Sequence, residues 1–171
     1  MIWRALLLLC ALLALPAQAL PRSLLTSDPL WQLAGQGEMR WFGLRLYGAE
    51  LWLQGSRFDP QQPHALKLTY ARSFAGERLA ASSVEEMRRV GERDEARLAR
   101  WQAQMAAIFP DVREGDSLTG VFLPGQGARF YLGEQLRGEI ADADFARAFA
   151  GIWLDERTRE PALRARLLGG S

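Results

Sequence analysis

The period of hydrophobic positions changes three times along the chain, and each change predicts a change of element. From residue 36 to 53 the sequence is rich in aromatic and branched residues with period-two stretches. Arg45, Tyr47, Ala49 and Leu51 share one parity, and Leu44, Leu46, Gly48 and Trp52 the other, as expected of strands bent or paired near Gly43. After a turn over residues 55–63, Leu66, Leu68, Tyr70 and Arg72 alternate with Lys67, Thr69, Ala71 and Ser73, a further strand antiparallel to its predecessor. Beyond Gly76 the spacing becomes helical. Leu79, Ser83, Met87 and Val90 mark one helix that Gly91 ends, and Leu98, Trp101, Gln102, Met105, Ile108 and Phe109 mark a second that Pro110 closes.

Period two returns over residues 117–123, 128–132 and 136–140, separated by a Pro124-Gly125-Gln126-Gly127 turn and a reversal at Gly133-Glu134: a meander. Asp142 is placed to cap a helix with Phe145, Phe149, Ile152 and Trp153 on its buried stripe. Pro161 suits the first turn of a last helix that carries Leu163, Leu167 and Leu168 and stops at Gly169-Gly170. Strands, helices, strands, helices is an α+β order, with the helices segregated on one face of an antiparallel sheet. No repeat, linker or low-complexity stretch divides it.

The N-terminus changes what the rest of the composition means. Residues 1–4 are a short basic start, residues 5–15 an unbroken apolar run, and Ala17-Gln18-Ala19 an A-x-A cleavage signature. We therefore expect a signal peptide over residues 1–19, one domain over residues 20–171, and a periplasmic or secreted product. The run is too short to span a bilayer, so no stable membrane anchor is expected. Cys10, the sole cysteine, lies in that signal, which leaves the mature chain without a disulfide, thiolate or cysteine nucleophile. Without Arg4 the basic residues number 20 against 20 acidic ones, which argues against a nucleic-acid binder. With 49% hydrophobic residues the chain can bury a sizeable core, and a monomer is expected.

The usual chemistries find little support. Gly35-Gln36-Gly37 begins like a dinucleotide fingerprint, but a strand follows where a helix is required, so a glycine turn or bulge is expected. Asp142-Ala143-Asp144 lacks the ligands and glycine of a calcium loop. One histidine cannot make a zinc site, and with no G-x-S-x-G elbow to serve, His64 reads as a surface residue. Arg88, Arg89, Arg93, Arg97 and Arg100 are interleaved with acids, the pattern of a solvated helix surface. No metal and no cofactor are expected. What remains is Arg40, Arg45, Tyr47, Tyr70 and Arg72 among strand positions that otherwise look apolar. A guanidinium beside a phenol would hold the carboxylate or phenolate end of an apolar ligand, unless these arginines face solvent or form structural ion pairs.

Taken together, several motifs resemble the chalcone isomerase-like family, in particular its small exported bacterial branch. They are Gly37-x-x-Arg40 leading into Leu44-Arg45-Leu46-Tyr47-Gly48-Ala49-Glu50-Leu51, then Ala65-Leu66-Lys67-Leu68-Thr69-Tyr70. Phe109-Pro110-Asp111-Val112, Gly115-Asp116-Ser117-Leu118-Thr119-Gly120 and Phe149-Ala150-Gly151-Ile152-Trp153-Leu154-Asp155 follow. The resemblance runs from about residue 32 to 169. It implies an open-faced β-sandwich, a large antiparallel sheet with helices layered on one face and a ligand cleft between them.

The plant enzymes of that family use an arginine, a threonine, a tyrosine, a lysine and an asparagine. Here Tyr47 falls at the threonine, Leu79, Ser82 and Glu86 at the last three, and Arg40 matches the arginine only across a gap. Leu79 can neither orient a phenolate nor stabilise an enolate, so chalcone isomerisation is not expected. Non-catalytic relatives resemble fatty-acid-binding proteins, in which an arginine and a tyrosine hold the lipid carboxylate. The resemblance thus implies a binder of a small amphipathic or carboxylate ligand, with Arg40 supplying charge and Tyr47 a hydrogen bond, and Arg45 and Tyr70 beside them. An isomerase or lyase with Tyr47 as its acid is the alternative.

Overall fold

The computed structural model describes residues 20–26 and 29–170; the expected signal peptide lies outside them. Six strands, β1 (Gln32–Trp41), β2 (Leu44–Leu53), β3 (His64–Tyr70), β4 (Ser117–Leu123), β5 (Gly127–Leu132) and β6 (Gln135–Ile140), form one antiparallel sheet in chain order. The helices are α1 (Arg22–Leu25), α2 (Gly76–Arg89), α3 (Glu95–Ile108), α4 (Ala143–Leu154) and α5 (Pro161–Leu167). All but the short α1 follow from the periodicity, and α2 to α5 lie on one face of the sheet as expected, whereas α1 packs on the other.

The local signals act as their chemistry requires. Asp142 Oδ1 accepts from the Asp144 and Phe145 amides at 2.9 and 3.1 Å, satisfying two orphan donors at the start of α4. Asp94 does the same for α3 through the Arg97 amide. Phe122, Phe130, Phe145 and Phe149 then meet between sheet and α4, with ring centroids 5.3 to 6.1 Å apart. Trp101 closes on Phe145 edge-to-face at 5.6 Å. Burying each such ring contributes on the order of 1.5 to 3 kcal/mol.

Two segments far apart in sequence fix the base of α2. Phe74 and Val112 exchange both backbone hydrogen bonds, at 3.0 and 2.9 Å, and Asp111 Oδ1 accepts from the Gly76 amide at 2.8 Å. A Cβ on Gly76 would stand 2.1 Å from the Phe109 carbonyl oxygen, so only glycine admits this junction. Gly35 of β1 plays the same part against α5, where its Cβ would strike the Arg166 and Leu167 carbonyls. The Gly35-Gln36-Gly37 motif is thus a bulge and close-approach site, with a register shift between Leu33 and Gly35.

The opposite sheet face is covered by the N-terminal segment. Leu20 and Trp31 pack there on Ala65, Val121 and Tyr131, with Leu24, Leu25 and Trp52 around them. On that face Lys67 is 2% exposed and lies 3.8 Å from Glu50. Burial lowers its pKa, and Glu50 opposes that shift.

His64 corrects the expectation of a surface residue. Opening β3 at an inward position, it is buried between Phe58 and Phe122, 5.1 and 5.2 Å away ring to ring. Nδ1 lies 2.9 Å from the Gln62 carbonyl oxygen and donates to it, while Nε2 is buried without a partner. Burial holds the imidazole below its ordinary pKa, hence neutral.

Candidate functional site

A cavity of about 490 Å³ opens between the sheet and helices α2 and α4. Its floor is formed by inward side chains of β2 to β5, among them Leu66, Leu68, Leu118 and Phe130, and its roof by Leu79, Phe149, Ile152 and Trp153. That size and this apolar lining suit a small organic ligand. A second cavity of about 350 Å³ lies at the opposite end of β3, beside His64 and Phe122; the imidazole nitrogens there are turned to the Gln62 carbonyl or closed off from solvent.

Two phenols face the larger cavity from adjacent strands. Tyr47 and Tyr70 are directly paired in the β2–β3 register, their rings 6.1 Å apart at 69°. Tyr47 Oη accepts a 3.0 Å hydrogen bond from Trp153 Nε1 of α4, which leaves its own O–H proton free to donate. Tyr70 Oη has no hydrogen-bond partner among the described residues. Burial pushes the Tyr47 phenol up to about 12, against the lowering effect of the Trp153 hydrogen bond, and Glu160 and Glu86 raise it further. Burial holds Tyr70 higher still, with Tyr47 adding to the effect. Both therefore stay protonated at neutral pH and act as donors, not bases.

The arginines are where sequence parity misleads. Arg40 and Arg45 do not line the cavity. Arg40 is 56% exposed and donates to Glu38 through Nε and Nη2 at 3.0 and 2.7 Å, and Arg45 Nε lies 3.1 Å from the same carboxylate. The cause is a bulge. Met39 pairs with Tyr47 and Arg40 with Arg45, so Leu46 is an extra residue in β2. The alternation is broken there, Leu46 and Tyr47 both reach the cavity, and Arg45 is sent to the Glu38 side. Arg72, just beyond β3, is exposed.

The cavity takes its cations from elsewhere. Arg78 of α2 lines it and has no carboxylate partner among the described residues. Arg159, in the α4–α5 connection, lines it too, 2.6 Å from Glu86 and with its guanidinium 5.7 Å from the centre of the Trp41 ring. Met39 and Trp41 of β1 complete that side. No periodic signal marks Arg159, which sits in a connection. Arg78 could have been found as a neighbour of Leu79 on the helix that the resemblance singled out. Leu79, Ser82 and Glu86 all line the cavity, so α2 presents to it the positions that match the enzymes' tyrosine, lysine and asparagine. Among the described residues no cluster of three or more histidine, cysteine or acidic side chains has metal-binding geometry.

The chalcone isomerase-like family profile matches residues 15–169, nearly the whole chain. The chain belongs to the chalcone isomerase-like family. A Haemophilus influenzae (strain Rd) protein described only as uncharacterized is 29% identical over 140 residues, 81% of this chain and 68% of the relative. The crystal structure of an Arabidopsis thaliana fatty-acid binding protein superimposes with a TM-score of 0.61 at 10% identity, covering 81% of this chain and 87% of that one. This likeness establishes the shared fold of a chalcone isomerase-like protein. No helix among the described residues is long and apolar enough to cross a membrane.

Proposed function

We propose that this protein is an exported, non-catalytic binder of a small amphipathic carboxylate such as a fatty acid. The observation that carries the reading is an apolar cavity into which two phenols protonated at neutral pH, Tyr47 and Tyr70, face from adjacent strands, with Arg78 and Arg159 on its wall. The hydrocarbon part of the ligand packs on Leu66, Leu118, Phe130 and Phe149. Its carboxylate accepts from the phenols and is attracted by the guanidinium groups. The Arabidopsis protein of like fold, named for fatty-acid binding, supports this choice of ligand class. Export rests on the basic start, apolar run and A-x-A signature of residues 1–19.

The test is calorimetry of the purified protein with a chain-length series of fatty acids, beside mass spectrometry of whatever co-purifies. Binding that rises with chain length and then falls once the cavity is full is expected, and Tyr70→Phe should weaken it by about 1 kcal/mol through loss of one hydroxyl. Absence of binding across the series would overturn the reading. Turnover of a chalcone would favour the isomerase alternative.

A further inference from the structure

The β1–β2 hairpin ends in a loop whose sequence conflicts with its shape. Phe42 and Gly43 both have positive φ, +47° and +79°, the type I′ geometry for which Asn-Gly and Asp-Gly are the favoured pairs. Phe42 occupies its left-handed position although a bulky side chain is strained there. Packing does not explain the choice, since the ring is 90% exposed, with Trp41 edge-on at 5.1 Å. Leu44 and Trp41 on either side are about half exposed, so the tip presents three neighbouring apolar side chains to solvent.

Charge surrounds that tip unevenly. Arg40 and Arg45 share the single carboxylate of Glu38, and Arg40 also donates to the Gly43 carbonyl at 3.2 Å. Arg159 covers the Trp41 ring, and the Ala71 amide bonds to Leu46, which brings the exposed Arg72 alongside. An aromatic and aliphatic wedge with a guanidinium collar is complementary to an anionic lipid interface. The rings enter the headgroup layer and the arginines meet its phosphates.

We propose that this hairpin tip docks the protein reversibly on an anionic bilayer. Trp41 belongs both to the tip and to the cavity wall, so docking presents the cavity to the phase into which an amphipathic ligand partitions. That last consequence, unlike the docking itself, rests on the proposed ligand.

Co-sedimentation of the mature chain with vesicles tests it. One set is phosphatidylcholine alone and the other phosphatidylcholine with an equal amount of phosphatidylglycerol. Binding should favour the anionic vesicles and weaken with salt. Phe42→Asn should lower it roughly tenfold, the scale of keeping one aromatic side chain in water. The same variant should melt at a higher temperature, because asparagine accepts the left-handed conformation, and should bind fatty acid in solution like the parent. A structural role for Phe42 would lower the melting temperature instead. Arg40→Ala with Arg45→Ala should remove the preference for anionic vesicles. Failure of the parent to bind either set, or undiminished binding by Phe42→Asn, overturns the proposal. A concentration-dependent dimer that Phe42→Asn dissolves, with no vesicle binding, would make the tip a contact between copies of this chain. Docking by a protein that binds no fatty acid would retain this inference and remove the ligand reading, and fatty-acid binding without docking the reverse.

Discussion

Trp153 donates its indole N–H to Tyr47 Oη across 3.0 Å, tying the buried stripe of α4 to the middle of β2 over the candidate cavity. The bond gives Tyr47 two duties. It fixes the phenol at the cavity wall, and it satisfies a donor on a tryptophan that is 8% exposed.

Tyr47→Phe is therefore expected to cost stability as well as affinity. Leaving the indole N–H unpaired should destabilise the fold by about 1 to 3 kcal/mol, read from urea unfolding without ligand. Tyr70→Phe removes a hydroxyl with no partner among the described residues and should leave stability within about 0.5 kcal/mol. Equal losses for the two would show that the Trp153 contact carries no weight.

The arginines separate in the opposite sense to the one expected from sequence. Arg40→Ala breaks a solvent-exposed pair with Glu38, should leave stability nearly unchanged, and should not alter affinity for a soluble fatty acid. Arg159→Gln, on the cavity wall, should weaken that affinity by about 1 kcal/mol, a charge-assisted contact discounted for partial exposure and for its existing pairing with Glu86. Calorimetry on the two variants decides which cation serves the site.

His64 predicts acid sensitivity. Its folded pKa lies below the ordinary value of 6.5, so the unfolded chain takes up the proton first as pH falls. Stability present above about 6.5 is then lost progressively down to the folded pKa, where the imidazole charges and the loss levels off. Urea midpoints should drop between neutral and mildly acidic buffer, and His64→Phe should flatten that part of the profile. An unchanged profile would place the histidine in water.

At lower pH a second limb belongs to Asp142. Burial opposes ionisation there, but the Trp101 indole at 2.9 Å, two α4 amides and Arg100 together hold the carboxyl below the usual carboxylate value of 3.8. This contribution is present above that value and lost as pH falls through the folded one. Trp101→Phe should reduce the limb. Trp101→Ala, which also empties a fully buried indole site, should cost about 3 to 5 kcal/mol at neutral pH by urea unfolding.

The proposed export predicts a mature N-terminus near Leu20. N-terminal sequencing of protein from a periplasmic extract should begin there, and an intact Met1 in the cytosolic fraction would refute it.

Local periodicity and capping determined the elements of this protein by themselves. The 3.6-residue spacing of Phe145, Phe149 and Trp153 behind an Asp142 cap has one low-energy reading, and so does the alternation of Leu66, Leu68 and Tyr70. Tyr47 and Tyr70 were legible as inward residues for the same reason, since each shares a parity with buried leucines. Only the tertiary structure decided the arginines and the histidine. One extra residue at Leu46 broke the alternation and sent Arg45 to the Glu38 side with Arg40, and no residue type there announces a bulge. Arg159 reached the cavity from a connection because α5 packs back over β1 at Gly35. His64 was buried by Phe58 and Phe122, residues brought to it by a loop and by the neighbouring strand. Periodicity reports which way a side chain leaves its own element. What it meets there depends on chain-distant contacts, and those set whether a cation faces water, a carboxylate or a ligand.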